Sequence, residues 1–406
     1  MINWLNKNKI QDRLFDFTWI VLIIVSMLRL SVWAALDTSL RFENALLTVE
    51  YVLCGLCIVI IILNFICRKY PWKVIVCYAV MAVAVALPAY FADNKYMIVF
   101  WLVFGAAYGQ NSRRLIALSF FITAGMTLFL VVFSLIGIVP NPEWTRYRDG
   151  LTLIRYGLGF HYTSTGPSVF LGIIFQYIYL RKENLRFWEP MILELVNLFF
   201  FWKTDARMPF YLGTIVLAFF FVESFFKNHW RFTSKLKGLE IIAPALIGVI
   251  TVAGYIFYDG NKPFWVKINT FLTGRLALGD AAIQTYGINL YGHDIAWTGN
   301  GLVPTDAAYN FVDCSYMRLL LSYGALFLAV VLAIYVIANR KAVKIGDHWL
   351  CLVLIFAALY GITEPYLVDF ATTPIIITAV SYCERDALKY KKQWLADLLK
   401  PSSSLQ

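Results

Sequence analysis

About twelve mainly apolar stretches follow one another along the chain, near residues 15–36, 44–66, 71–92, 95–110, 114–139, 161–180, 186–202, 208–227, 239–258, 315–338, 348–364 and 367–384. Most are about 17 to 25 residues long, the length a helix needs to cross the hydrocarbon core of a bilayer. The expected fold class is therefore all-α, a polytopic transmembrane helical protein. Composition agrees: 60% of the 406 residues are hydrophobic and 15% are charged, against about a quarter charged in ordinary globular domains. The first stretch follows Lys7, Lys9 and Arg13 as the core of a signal peptide would, but at about 22 residues it spans a bilayer and is read as an uncleaved helix. Residues 1–400 read as one membrane domain, with 401–406 set aside as a tail.

A net charge of +10 raises the question of nucleic acid. No long basic run or aromatic and basic platform supports that partner, whereas membrane proteins collect Lys and Arg in cytoplasmic loops. Arg68 and Lys69, Lys73, Arg113 and Arg114, Arg181 and Lys182 with Arg186, the run 227–237, Arg340 and Lys341 with Lys344, and the run 385–392 all fall on the side of the N-terminus. Both termini are thus expected in the cytoplasm. Two loops then face outward, 140–160 and the much longer 259–314. Phe264, Trp265, Ile268, Phe271 and Leu272 recur at helical spacing within the second, so part of it is expected to lie on the outer surface as an amphipathic helix, capping an outward-facing cavity.

Little else points to a soluble site. Cys54, Cys57, Cys77 and Cys351 sit in apolar stretches and read as packing; Cys314 is expected to face outside, and no external disulfide framework is expected. His161, His229, His293 and His348 are far apart and no cluster has metal-ligand spacing, so no metal and no cofactor is expected. No phosphate-cradling loop of the P-loop type is present. Glu194 and Glu50 lie within apolar stretches, where a carboxylate is expensive; structural pairing is the favoured reading, with Arg29 as a partner for Glu50.

The outward segments carry arginines that the topology rule disfavours there: Arg146, Arg148 and Arg155, Arg207 in KTDARMPF, and Arg275 in FLTGRLALG. Guanidinium forks onto phosphate oxygens with two hydrogen bonds, so converging arginines suit a pyrophosphate. The competing reading is lipid headgroup contact, or salt bridges to Asp149, Asp205 and Asp280.

RYGLGFHYTS at the sixth stretch, the TDAR turn, TGRLAL in the long loop and DCSYMRLLLSYG entering the tenth stretch together resemble the Wzy-type polysaccharide polymerases. Those belong to the O-antigen polymerase and ligase superfamily, and the aromatic-rich style is similar to capsule or exopolysaccharide polymerases of Gram-positive bacteria. The family's Arg-x10-Gly pattern is met by Arg155 with Gly166, and also by Arg148 with Gly159 and Arg146 with Gly157. Related ligases carry His-x10-Gly at the tenth stretch; here Asp313 and Gly324 hold that spacing, and His293 does not, because Pro304 occupies the glycine position. The departure favours a polymerase and moves the candidate base from imidazole to carboxylate.

What the resemblance implies is a membrane glycosyltransferase on the outer face of the bacterial cytoplasmic membrane. It joins undecaprenyl-diphosphate-linked oligosaccharide repeat units, with the growing chain as donor, and works without metal. Its partners are those lipid-linked sugars, membrane lipids and a chain-length regulator protein. Asp313 is the candidate base and His161 the alternative. Arg155, Arg207 and Arg275 would hold diphosphate, with Arg148, Asp205, Tyr162, Ser164 and Tyr316 as further substrate contacts; Gly157 and Gly159 would let the backbone approach it. An O-antigen-ligase-like transferase and a flippase for lipid-linked oligosaccharide are the alternatives.

Overall fold

The computed structural model describes residues 10–36, 41–67, 70–148, 150–226, 237–299 and 310–382. The basic runs at 68–69, 227–236 and 385–392 lie outside them, as do Asp149, His229 and the tail, and only the backbone of Arg148 is described. The order is α1 (Ile10–Leu30), α2 (Val32–Leu36), α3 (Arg41–Cys67), α4 (Trp72–Phe91), α5 (Met97–Ala106), α6 (Ser112–Leu135), β1 (Glu143–Arg148), β2 (Leu151–Tyr156), α7 (Thr165–Arg181), α8 (Trp188–Thr204), α9 (Arg207–Phe226), α10 (Lys237–Ile256), α11 (Pro263–Phe271), α12 (Arg275–Tyr286), α13 (Ser315–Ile345) and α14 (His348–Tyr360). Six of these helices, α3, α4, α6, α9, α10 and α13, are long and apolar enough to cross a membrane. Their outward faces carry large apolar side chains such as Tyr51, Phe65, Phe121 and Ile250, as expected of surfaces that meet lipid rather than water.

Contacts between helix ends define two faces. On one, Arg114 pairs with Asp16 at 3.0 Å, Arg113 donates to the Leu180 carbonyl at 3.2 Å, Lys182 pairs with Asp347, and Lys341 donates to the Thr378 carbonyl. This is the basic face. On the other, α1 ends against the segment before α7, with His161 N–H donating to the Leu30 carbonyl at 3.1 Å and Val32 N–H to Gly159 at 2.9 Å. Residues 259–299 lie over that face and form the cap. In the cap, α11 is helical as expected and turns Trp265, Ile268 and, just past its end, Leu272 inward, but Phe264 and Phe271, expected with them, are exposed.

Two expectations are corrected. The class is not purely α, because 143–156 forms an antiparallel hairpin with Glu143 opposite Tyr156 and Trp144 opposite Arg155. Its two six-residue strands, EWTRYR and LTLIRY, are rich in β-branched and aromatic residues, and Gly150 supplies the left-handed turn at φ 76°. The twelfth stretch, 367–384, is not a helix in its described part: it runs through turns into a short 3-10 helix, Pro374–Ala379. Pro374 has no N–H to donate, and the hydroxyls of Thr372 and Thr373 take the Tyr366 carbonyl at 3.2 and 2.7 Å, competing with a helical ladder. Irregular backbone is tolerated inside a bundle only where protein surrounds it. Here Phe370 lies between Trp19 and Phe100, and the Ala371 carbonyl accepts from Gln176 at 3.2 Å.

The cap is spliced into α13. At Gly324 the helix breaks (φ 85°, ψ 168°), which frees the carbonyls of Leu321 and Ser322 and the N–H groups of Ala325 and Leu326. His293 N–H takes the Leu321 carbonyl at 2.9 Å and the Asn94 side-chain amide takes Ser322 at 3.4 Å; Ala325 and Leu326 donate to Asn289 at 2.9 Å and Leu290 at 3.4 Å. The approach is close enough that a Cβ at Gly324 would collide with the Leu290 carbonyl, and one at Gly292 with Ser322. Gly324→Ala should therefore cost on the order of 1–3 kcal/mol, lowering the melting temperature in detergent and exposing the cap to protease. Gly125→Ala, with nothing within 4 Å, should leave both unchanged or slightly improved. Equal behaviour of the two variants would break the splice argument.

Candidate functional site

Between α11 and α12 the sequence Thr273-Gly274-Arg275 turns through two successive left-handed residues, at φ 57° and 87°. Gly274 N–H donates to the Asn269 carbonyl at 2.8 Å, and the Asn269 side chain accepts from Ala277 N–H at 3.2 Å. The turn thereby sets Arg275 as the first residue of α12. Helix α12 is seated by Gly279, where a Cβ would collide with the Tyr255 ring, and by buried Leu276. Arg275 then reaches the mouth of the bundle, only 14% exposed, with Nε 3.0 Å from Oδ2 of Asp313 and Nη2 3.9 Å from Oε1 of Glu364.

Glu364 was not singled out in the sequence, where it closes an apolar stretch just before Pro365. It is 3% exposed. Ser168, in the first turn of α7, donates to its Oε2 at 2.8 Å, while Oε1 is buried without a hydrogen bond. The connecting segment is held in turn: Ser315 N–H donates to the Gly361 carbonyl at 2.9 Å, the Ser315 hydroxyl donates to the Glu364 carbonyl, and Leu367 N–H donates to that hydroxyl at 3.1 Å. The starts of α7, α12 and α13 and the segment after α14 thus converge on one guanidinium and two carboxyl groups.

Burial pushes the Asp313 carboxyl above its ordinary range, against the opposing fields of Arg275 and Arg318. Glu364 is raised to about 8, again by burial, with Arg275 opposing and Asp313 adding to the rise. His161 is lowered by burial, against a backbone hydrogen bond. Its Nδ1 lies 2.9 Å from the Leu30 carbonyl, which can only accept, so that nitrogen carries the hydrogen; Nε2 faces the Thr165 hydroxyl at 3.5 Å. His161 thus joins the end of α1 to the start of α7.

Arg155 and Arg207 belong to a second group, on the α8 side of the start of α7. Arg155 is buried and its Nε donates to the Thr204 carbonyl at 2.6 Å, closing the C-terminus of α8. Asp205 follows in the left-handed conformation, and Arg207 Nε lies 3.6 Å from its Oδ1. Tyr162 packs edge-on against Trp144, and Ser164 precedes α7 without a side-chain cap. Gly157 and Gly159 make close approaches to Phe160 and Leu130, so their freedom serves packing.

Two side chains lie elsewhere than expected. Tyr316 is buried in the contact with α14 and donates to the Ala358 carbonyl at 2.7 Å, because its position in α13 points it into the bundle. Cys314 does not face outside; it is fully buried immediately before α13. The weighed pairing of Arg29 with Glu50 is present at 2.8 Å, and Glu194 accepts from Thr214 at 2.8 Å and Asn197 at 3.2 Å. Among the described residues no group of three or more His, Cys, Asp and Glu is placed to hold a metal ion.

Beyond the cluster opens a cavity of about 390 Å³ lined by Arg318, Tyr366, Trp297, Tyr96 and the Arg29–Glu50 pair. A scan against protein-family models, a search of curated proteins and a search of solved structures returned no match.

The raised carboxyls set a pH dependence. Glu364 binds its proton more tightly in the folded protein, so its contribution to stability is complete below the unfolded value near 4.5 and is lost as pH rises through about 8. Asp313 acts in the same direction. Melting temperature should therefore fall more steeply between pH 5 and 8 in the wild type than in Glu364→Gln, where only Asp313 and weaker groups remain. Parallel profiles would mean that Glu364 is not held protonated.

Proposed function

We propose that the chain is a Wzy-type polysaccharide polymerase that joins undecaprenyl-diphosphate-linked repeat units at the outer face of a bacterial cytoplasmic membrane. The observation that carries this reading is Arg275 held between Asp313 and Glu364 at the mouth of the bundle, with nearby residues of the same segments, Ser315 and Pro365, lining a cavity. Cation and carboxylate side by side answer the two needs of the reaction. The acceptor hydroxyl attacks the anomeric carbon of the donor; the new glycosidic C–O bond forms as the bond to phosphate breaks, and the electron pair leaves on undecaprenyl diphosphate. In this reading Arg275 meets that developing charge and Asp313 takes the hydroxyl proton. A carboxylate whose proton affinity is raised by burial is the stronger base.

The orientation follows the basic face, which the positive-inside rule turns to the cytoplasm together with both termini, leaving the cap outside. Arg155 and Arg207 supply further positive charge across the start of α7, toward the diphosphate. His161, tied at Nδ1 to α1, acts by holding α7 in place. Lipid-linked oligosaccharides are the substrates, a chain-length regulator is a further partner, and no metal takes part.

The test is lengthening of a lipid-linked glycan by purified protein in detergent, where no membrane asymmetry exists. Polymer is expected from the wild type. Asp313→Asn should lower the rate about a hundred- to ten-thousand-fold, and Arg275→Lys about a hundredfold or more, because a point charge does not replace the planar fork. His161→Ala should be milder. Movement of lipid-linked sugar across vesicles without lengthening would replace the polymerase by a flippase, and full activity in Asp313→Asn would remove Asp313 as the base.

A further inference from the structure

The cavity lined by Arg318, Trp297, Tyr96, Glu50 and Asp369 has two ends of different character. At one end stands Arg318, a turn into α13, its guanidinium over the rings of Phe311 at 4.9 Å and Trp297 at 5.6 Å. Among the described residues no carboxylate lies within ion-pair distance of it. Asp313 feels its charge at longer range, but an arginine held against aromatic rings at the head of an apolar helix, with no carboxylate in contact, is still costly, and an anion reaching it would offset that cost. At the other end, Glu50 is bonded to Arg29 at 2.8 Å. Asp369 accepts through Oδ1 from the N–H groups of Ala371 and Thr372, both at 2.9 Å. Carboxylates partly satisfied in this way still offer lone pairs to hydroxyl donors. Between the ends, Trp297 comes down from the cap, fixed by its Nε1 donating to the Ser322 hydroxyl at 2.9 Å, and Tyr96 rises from the start of α5.

A cation at one end, acceptors at the other and aromatic faces between them describe a particular ligand. Pyranose rings present C–H faces to aromatic rings and equatorial hydroxyls to carboxylates. Cavities of about 300–1,000 Å³ hold small ligands, and this one, at about 390 Å³, falls within that range. We infer that the cavity is a subsite for one sugar ring carrying a negative charge, with that charge against Arg318 and the ring hydroxyls toward Glu50 and Asp369. The inference rests on the polymerase reading only for the origin of the sugar, the lipid-linked repeat unit. The charge itself has two sources, an acidic substituent on the repeat unit or the phosphate that joins sugar to lipid.

The experiment measures saturation-transfer NMR on full-length protein in lipid nanodiscs with glucuronic acid, glucose 1-phosphate and glucose as separate probes. One or both anionic sugars should bind about tenfold or more tightly than glucose, the scale of a hydrogen bond to a charged group. Preference for glucuronic acid identifies a sugar substituent; preference for glucose 1-phosphate identifies the lipid-linked phosphate. Arg318→Gln should abolish the preference, and Arg318→Lys, which keeps the charge and guards against a folding defect, should retain part of it. Trp297→Leu should weaken all probes alike. Equal binding of glucose, no transfer to any probe, or a preference that survives Arg318→Gln would overturn the subsite. Failure of glycan lengthening with the anionic preference intact would remove the polymerase reading and leave the subsite standing; lengthening without the preference would do the reverse.

Discussion

Inside an apolar bundle every backbone N–H and C=O must find a partner within the protein, and the architecture follows from how the exceptions to helix are satisfied. The break at Gly324 is the clearest case. Two broken helical hydrogen bonds leave four groups, and all four are taken up, three of them by residues 289–293 of the cap and one by Asn94. The cap is therefore a continuation of the α13 hydrogen-bond ladder by other means. Arg275 is carried on that same cap, so its position over Asp313 depends on a splice well away from it in sequence.

The cluster at the mouth of the bundle is a balance between burial and charge. Burial lifts both carboxyls; Arg275 opposes the lift in each, and Arg318 also opposes it at Asp313. Glu364, whose carboxyl is raised by burial to about 8, accepts from Ser168 at 2.8 Å, and the Arg275 guanidinium is shared between it and Asp313.

Much of this could be read from the sequence because it rests on local rules. Apolar stretches gave helices at eleven of the twelve expected places, and of the five apolar residues spaced along 264–272, Trp265, Ile268 and Leu272 pack inward while Phe264 and Phe271 do not. Arg275 was legible as a cation on an outward segment, and Arg29 with Glu50 as a pair; the left-handed turn that sets Arg275 was not. The hairpin was hidden because strands as short and polar as EWTRYR carry a weak alternation signal. Glu364 was hidden for a different reason. Its meaning comes from Ser168 and Arg275, which are distant in the chain, and no local pattern distinguishes it from a carboxylate that merely ends a helix. Tyr316 and Cys314 were misplaced because a loop-to-helix junction does not announce which of its side chains turn inward.

The irregular segment after α14 has a consequence for biogenesis. A stretch that contains Asp369, Pro374 and several threonines, with much of its hydrogen bonding made to other helices, gains little by entering lipid alone. Its partners, Gln176 of α7, Thr123 of α6 and Trp19 of α1, all precede it in the chain. The order of synthesis thus builds the receiving surface first, and this irregular segment is stabilised by docking onto protein.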